Sequence, residues 1–153
     1  PASVFWNNTA PTDTVFSLGT STGVNASGGT YVAYCWAPIA GYSAFGKYTG
    51  NNDTNGPFVY LGFRPRYIMI KSLVETSNWF VYDTARSPYN IMDTLLFPSD
   101  SQGDYTDSTY AIDAVSNGFK IRGLGQYGGL NNSGNGYIYM AFAENPFKYA
   151  NAR

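Results

Sequence analysis

Apolar and polar residues alternate with a period of two along much of the chain, and polar, Gly-rich stretches interrupt the alternation at short intervals. Thr14–Leu18, Tyr31–Trp36, Ser43–Tyr48, Phe58–Phe63, Tyr67–Lys71, Trp79–Asp83, Ala111–Val115, Phe119–Arg122 and Tyr137–Phe142 each read as a strand. The three between 58 and 83 have meander spacing, and Asn117-Gly118 marks a hairpin between the strands around it. No window of ten or more residues carries a persuasive helical period. The pattern predicts an all-β fold, a jelly-roll-like antiparallel β-sandwich of roughly ten strands with little or no helix. Residues 1–13, in which two prolines flank Phe5 and Trp6, read as a lead-in segment whose aromatics dock on a single sandwich domain over 14–153.

One stretch is used twice. Residues 16–37 align without a gap on 122–143, Tyr31 falling on Tyr137, with identities at Leu18/Leu124, Gly19/Gly125, Gly23/Gly129, Asn25/Asn131, Ser27/Ser133, Gly28/Gly134, Tyr31/Tyr137 and Ala37/Ala143. Val32/Ile138 and Trp36/Phe142 keep their apolar character. Both faces of each strand are apolar, so each is expected to be central and covered on both sides. Two readings follow. In the preferred one the two strands pair with each other and close one sandwich. In the other, residues 16–37 are the last hairpin of a preceding unit in a longer tandem protein. A start at Pro1, with neither Met nor a signal-like apolar segment, carries the expectation of a piece from a longer chain.

Composition supports the β reading: 18% of residues are aromatic, 14 of them Tyr, against only 12% charged. The formal net charge is −1 and the nine basic residues are scattered, which argues against a nucleic-acid partner. No apolar run is long enough for a transmembrane helix, so membrane insertion is not expected. The single cysteine, Cys35, allows no intramolecular disulfide and reads as a small buried hydrophobe. The absence of histidine removes Ser-His-Asp and Cys-His catalysis together with His-bearing zinc sites.

Asp100, Asp104, Asp107 and Asp113 form an oxygen-rich stretch around Gly103 of the sort that could hold Ca²⁺, but the spacing matches no EF-hand and a solvated loop is the favoured reading; no cofactor is expected. Asp83, Asp93 and Glu144 are available to a glycosidase-type pair, but nothing in the spacing selects two of them, and Asp83 with Arg86 reads more simply as an ion pair across a turn. Glu75 and Asp53 read as surface residues. Tyr105, Tyr110 and Tyr127 lie in or beside polar loops, where a ring is free to stack on a sugar or a partner protein, and they are the candidate ligand-binding residues. The competing reading folds such rings back over a sheet edge. Tyr31, Tyr34, Trp36, Trp79, Phe80, Tyr137 and Phe142 read as core. Sequons begin at Asn7, Asn25, Asn52 and Asn131, and the equivalence of Asn25 and Asn131 in the repeat favours turn chemistry over glycosylation.

Four strings carry a family resemblance: GGTYVAYCWAPIAGYSAFGKYTGN, DTNGPFVYLGFRPRYIMIK, NWFVYDTARSPYN and SGNGYIYMAFAENPFKYANAR. With them the chain resembles, from about Phe16 to Arg153, structural domains of tailed bacteriophages found in tail-fibre-like or virion-surface proteins of marine phage and metagenomic sequences. The resemblance implies a concanavalin A-like or laminin-G-like sandwich, and it carries over no catalytic residues. It identifies no ligand; with the all-β scaffold, the missing catalytic chemistry and the polar, aromatic-tipped loops, the leading expectation is a non-enzymatic receptor-binding or adhesion module on the virion surface that recognises a host cell-surface glycan or protein. The alternatives are a capsid-decoration or fibre-assembly domain that packs on other virion proteins or on copies of itself, as in a trimer, and a glycan-cleaving enzyme.

Overall fold

The structure is a computed structural model and describes residues 2–125 and 128–146. The chain divides into two compact units, Pro1–Trp36 and Ala37–Arg153. The boundary falls after Trp36, where the sequence led us to expect one domain running from residue 14. Within the first unit, hydrogen bonds join its two halves. Gly19 N donates to Phe5 O and Ser21 N to Val4 O, both at 2.8 Å, so the expected lead-in is tied to the residues that follow it.

The first unit contains two short helices, α1 (Ala2–Trp6) and α2 (Thr22–Asn25). Ser21 caps α2, its hydroxyl accepting from Gly23 N at 3.2 Å. The strands expected at 14–18 and 31–36 are not formed: neither stretch belongs to a strand or bridge. The pairing of Tyr31–Trp36 with Tyr137–Phe142 is therefore rejected. Tyr31, Tyr34, Trp36 and Cys35 are exposed, as are Phe5 and Trp6, against the expectation that all would be buried. Alternation records that a segment can lie on a pleated surface; it does not supply the neighbouring strand that buries it.

The second unit is all-β and antiparallel. Its strands are β1 (Ser43–Thr49), β2 (Phe58–Tyr60), β3 (Pro65–Ser72), β4 (Phe80–Asp83), β5 (Thr94–Leu95), β6 (Tyr105–Thr106), β7 (Ile112–Val115), β8 (Gly118–Ile121) and β9 (Gly136–Ala143). A four-stranded sheet has the order β1-β9-β3-β4, a three-stranded sheet the order β2-β8-β7, and β5 pairs with β6. The expected meander is thus split, with β3 and β4 forming a hairpin while β2 joins β8 in the other sheet. The last strand in the chain sits between two earlier ones, Ala141 lying opposite both Ala44 and Ile68.

The two larger sheets share one core. Tyr48, Ile68, Ile70, Phe80, Tyr82, Tyr137 and Ala141 from the first meet Val59, Ile112, Ala114, Phe119 and Ile121 from the second. Tyr48 stacks on Tyr137 at 4.9 Å between ring centroids, and Phe119 meets Tyr139 edge-on at 5.6 Å. Met92, Leu95 and Phe97, from a stretch with no readable period, complete this core. The hairpin expected at Asn117-Gly118 joins β7 to β8, with Val115 opposite Gly118. Its glycine answers a packing demand, because a Cβ at 118 would lie 2.0 Å from Val59 O.

On its other face the four-stranded sheet carries Phe45, Tyr67, Met69, Ile138, Met140 and Phe142, with Phe142 in ring contact with Tyr42, Phe45 and Tyr67. Among the described residues, no helix is long and apolar enough to cross a membrane.

Candidate functional site

Tyr110 enters its surroundings through a 3-10 turn, Ser108–Tyr110, that Asp107 caps. The Asp107 carboxylate accepts from Thr109 N at 2.9 Å and from the Thr109 hydroxyl at 2.7 Å, and these bonds, the backbone one first, hold its carboxyl below the usual range. Its other oxygen accepts from the Tyr105 hydroxyl at 3.3 Å. Desolvation first, and the Asp107 charge second, push the Tyr105 phenol above its ordinary range. The geometry follows from the sequence locally, since Asp two residues before Thr is a turn-capping pattern.

Tyr110 stacks on Phe80 at 5.3 Å, and both rings meet Phe97. Tyr105 packs against Phe97 at 5.1 Å and against Tyr110 at 6.0 Å. The two candidate tyrosines are thus brought together, half-buried, against the core; Tyr127 lies outside the described residues. An open cleft of about 280 Å³ passes over this cluster, bounded by Thr76, Ser77, Asn78, Phe80, Phe97, Tyr110 and Gly128. Its apolar side is the half-buried Tyr110 ring backed by the buried Phe80 and Phe97, and its rim carries hydroxyls and a carboxamide.

The rim belongs to the turn between β3 and β4, which is held by two charged side chains. Lys71 Nζ donates to Ser72 O at 3.1 Å, Glu75 O at 3.2 Å and the Ser77 hydroxyl at 3.4 Å. Glu75, expected at the surface, is half-buried instead: it accepts from Gly128 N at 2.6 Å, from Asn135 Nδ2 at 2.8 Å and from Asn132 Nδ2. These bonds bridge more than fifty residues of sequence, so no local pattern announces them. On the opposite side the Ser99 hydroxyl donates to Asn78 Oδ1 at 3.1 Å and fixes the amide at the rim.

The remaining candidates are dispersed. Asp104 pairs with Arg86, Asp113 with Arg122 at 3.4 Å, and the exposed Asp100 accepts from Ser101 N, so the four aspartates do not assemble as one cation site. Among the described residues no group of three or more acidic or thiol side chains is close enough to share a metal. Asp83 pairs with Arg66 at 3.2 Å, which corrects the expected Asp83–Arg86 pair, and Glu144 with Arg64 at 3.0 Å. Asp53 is exposed, as expected. At the sequons, turn chemistry holds. Asn131 is fully buried, its Nδ2 donating to Asp53 O at 2.8 Å and Gly123 O at 3.0 Å, and Asn7 and Asn52 adopt positive φ.

No curated protein and no solved structure matches the chain. The family model described as a domain of unknown function, DUF7483, matches residues 1–146 and so runs through both units. On that match, the chain belongs to the DUF7483 family.

Proposed function

We propose that the protein is a non-enzymatic binding module of a phage virion surface, of the receptor-binding kind, which takes a host glycan into the cleft over Tyr110. The observation that carries this reading is the pairing of an aromatic floor, Phe80, Phe97 and Tyr110, with the polar rim Thr76, Ser77 and Asn78. Sugars present a C–H face that stacks on aromatic rings and an equatorial belt of hydroxyls that seeks polar partners; the half-buried Tyr110 ring, backed by the buried Phe80 and Phe97, offers the first, and the rim offers the second. The virion setting rests on the family resemblance of the sequence. A glycan array probed with the full chain, and with Thr76→Trp to fill the cleft from its exposed rim, tests it. Binding that Thr76→Trp abolishes supports the proposal; binding that survives the substitution, or none from either protein, rejects it.

A second reading has its own observation. The outer face of the four-stranded sheet, with Phe45, Tyr67, Met69, Met140 and Phe142, suits a fibre-assembly or capsid-decoration domain that packs on further virion proteins or on itself. A trimer in sedimentation equilibrium that dissociates on Met140→Lys favours this alternative, and a monomer at all concentrations removes its self-assembly form.

A further inference from the structure

The two copies of the repeat share more than sequence. In the body, Asn132 N donates to the Tyr137 hydroxyl at 3.0 Å; in the first unit, the equivalent Ala26 N donates to the Tyr31 hydroxyl at 2.9 Å. Asn135 N donates to Asn132 O, and Gly29 N to Ala26 O, both at 3.0 Å. Gly134 has φ +77° and Gly28 has φ +75°. The same tyrosine-latched turn is therefore built twice, and a chance match of Gly-rich sequence does not predict equal bonds at equal positions.

What differs is the company each copy keeps. Asn131 is fully buried and accepts from Asn51 N at 2.9 Å, whereas Asn25 is exposed, its amide donating to Gly19 O at 3.0 Å. After the turn, Gly136–Ala143 is a strand bonded on both sides. Residues 30–37 pair with nothing in a sheet, leaving Val32 and Tyr34 77% and Trp36 55% exposed. Their pattern fits the same slot at all but one place: Tyr31 matches Tyr137, Cys35 and Ala37 are small like Ala141 and Ala143 on the inward face, Val32, Tyr34 and Trp36 match the outward Ile138, Met140 and Phe142, and Ala33 alone stands where Tyr139 packs on Phe119.

We propose that residues 16–37 are the closing turn and strand of a second unit of this fold, and that residues 30–37 seat between that unit's equivalents of β1 and β3. The occupant is another copy of the fold because the equivalent copy, Gly136–Ala143, fills the slot between β1 and β3 of such a sheet in this register. The body of this chain is not that occupant, since its slot is filled by β9. A preformed turn leading into an unpaired apolar strand is what a strand-addition segment looks like without its sheet. This inference does not depend on the glycan reading.

The experiment compares the full chain with a chain in which residues 37–121 are placed directly before residues 16–153. The second body, closed by its own 122–143, serves as the folding standard within the same molecule. Hydrogen exchange is expected to show fast amides at 30–37 in the full chain and slowing by about 100-fold or more in the extended one. Trp36 emission should shift to the blue. In the extended chain Val32→Asp should reverse both changes while leaving 136–143 protected. Amides at 30–37 that exchange equally fast in both chains, or a first body that stays unfolded whether or not the second folds, overturn the proposal.

Discussion

The hydroxyl of the buried Tyr82 donates its hydrogen to the carbonyl oxygen of Tyr110, joining a strand of the four-stranded sheet to the turn that floors the cleft. Burial first, and the neighbouring Tyr110 second, raise the Tyr82 phenol well above its ordinary range.

Tyr82→Phe removes this donor and keeps the ring. The Tyr110 carbonyl then loses its protein partner, at a cost of about 1–3 kcal/mol. The midpoint of urea unfolding should fall by the corresponding amount with an unchanged slope. An unchanged midpoint would show that the bond contributes nothing. Because the same bond positions the 3-10 turn, any glycan affinity at the cleft should weaken in the variant.

Asn131 and Asn25 occupy equivalent repeat positions and should respond unequally. Asn131→Ala removes three bonds made by a fully buried side chain, from Asn51 N and to the Asp53 and Gly123 carbonyls, and leaves the buried Gly123 carbonyl without this partner, for a loss on the order of 3 kcal/mol. Asn25→Ala removes one bond at an exposed site, for a loss within about 0.5 kcal/mol. Equal losses in thermal or denaturant unfolding would contradict the difference in burial.

Stability should fail at the alkaline end before the neutral range matters. With no histidine in the chain, no imidazole titrates between pH 5 and 8, so unfolding midpoints should be flat there. Burial raises the phenols of Tyr48, Tyr82 and Tyr137 above the ordinary 10.0. Below pH 10 both folded and unfolded chains hold these protons and stability is full. Above it the unfolded chain releases them first, so stability falls progressively until pH passes the folded values. At the acid end Asp107, held low by the Thr109 bonds, contributes above its ordinary 3.8 and loses that contribution as pH falls through its folded value. Absorbance of ionised tyrosine should rise in two classes, the later one coinciding with unfolding. A single step near pH 10 with circular dichroism unchanged would exclude the buried class.

The sequence was most legible where alternation and pairing coincide. Ser43–Thr49, Pro65–Ser72 and Gly136–Ala143 alternate apolar residues and lie side by side in one sheet, and the Ile112–Ile121 hairpin carries its own turn signal. Tyr31–Trp36 alternates equally well and forms no strand, because a ladder needs a partner and periodicity says nothing of one. Met92, Leu95 and Phe97 were unreadable as core, since they lie in a stretch placed by the two-residue strand β5 and by isolated bridges, Met92 to Ile112 and Val81 to Leu96, and not by a period. At the cleft, the loop setting of Tyr105 and Tyr110 did not disclose their packing against Phe97 and Phe80, which is set by contacts remote in sequence. Glu75 read as a surface residue because its partners Gly128, Asn132 and Asn135 are remote in sequence.

The position of β9 also dictates an order of assembly. β1 and β3 flank it and never touch as ladder partners, so the four-stranded sheet is two separate pieces until residues 136–143 arrive. During synthesis the body must wait as an open clamp, its inner tyrosines exposed, for a segment made after both jaws. Such non-local closure is slow, and a ribosome-stalled chain ending before Gly136 should be far more sensitive to protease than one extended past Ala143.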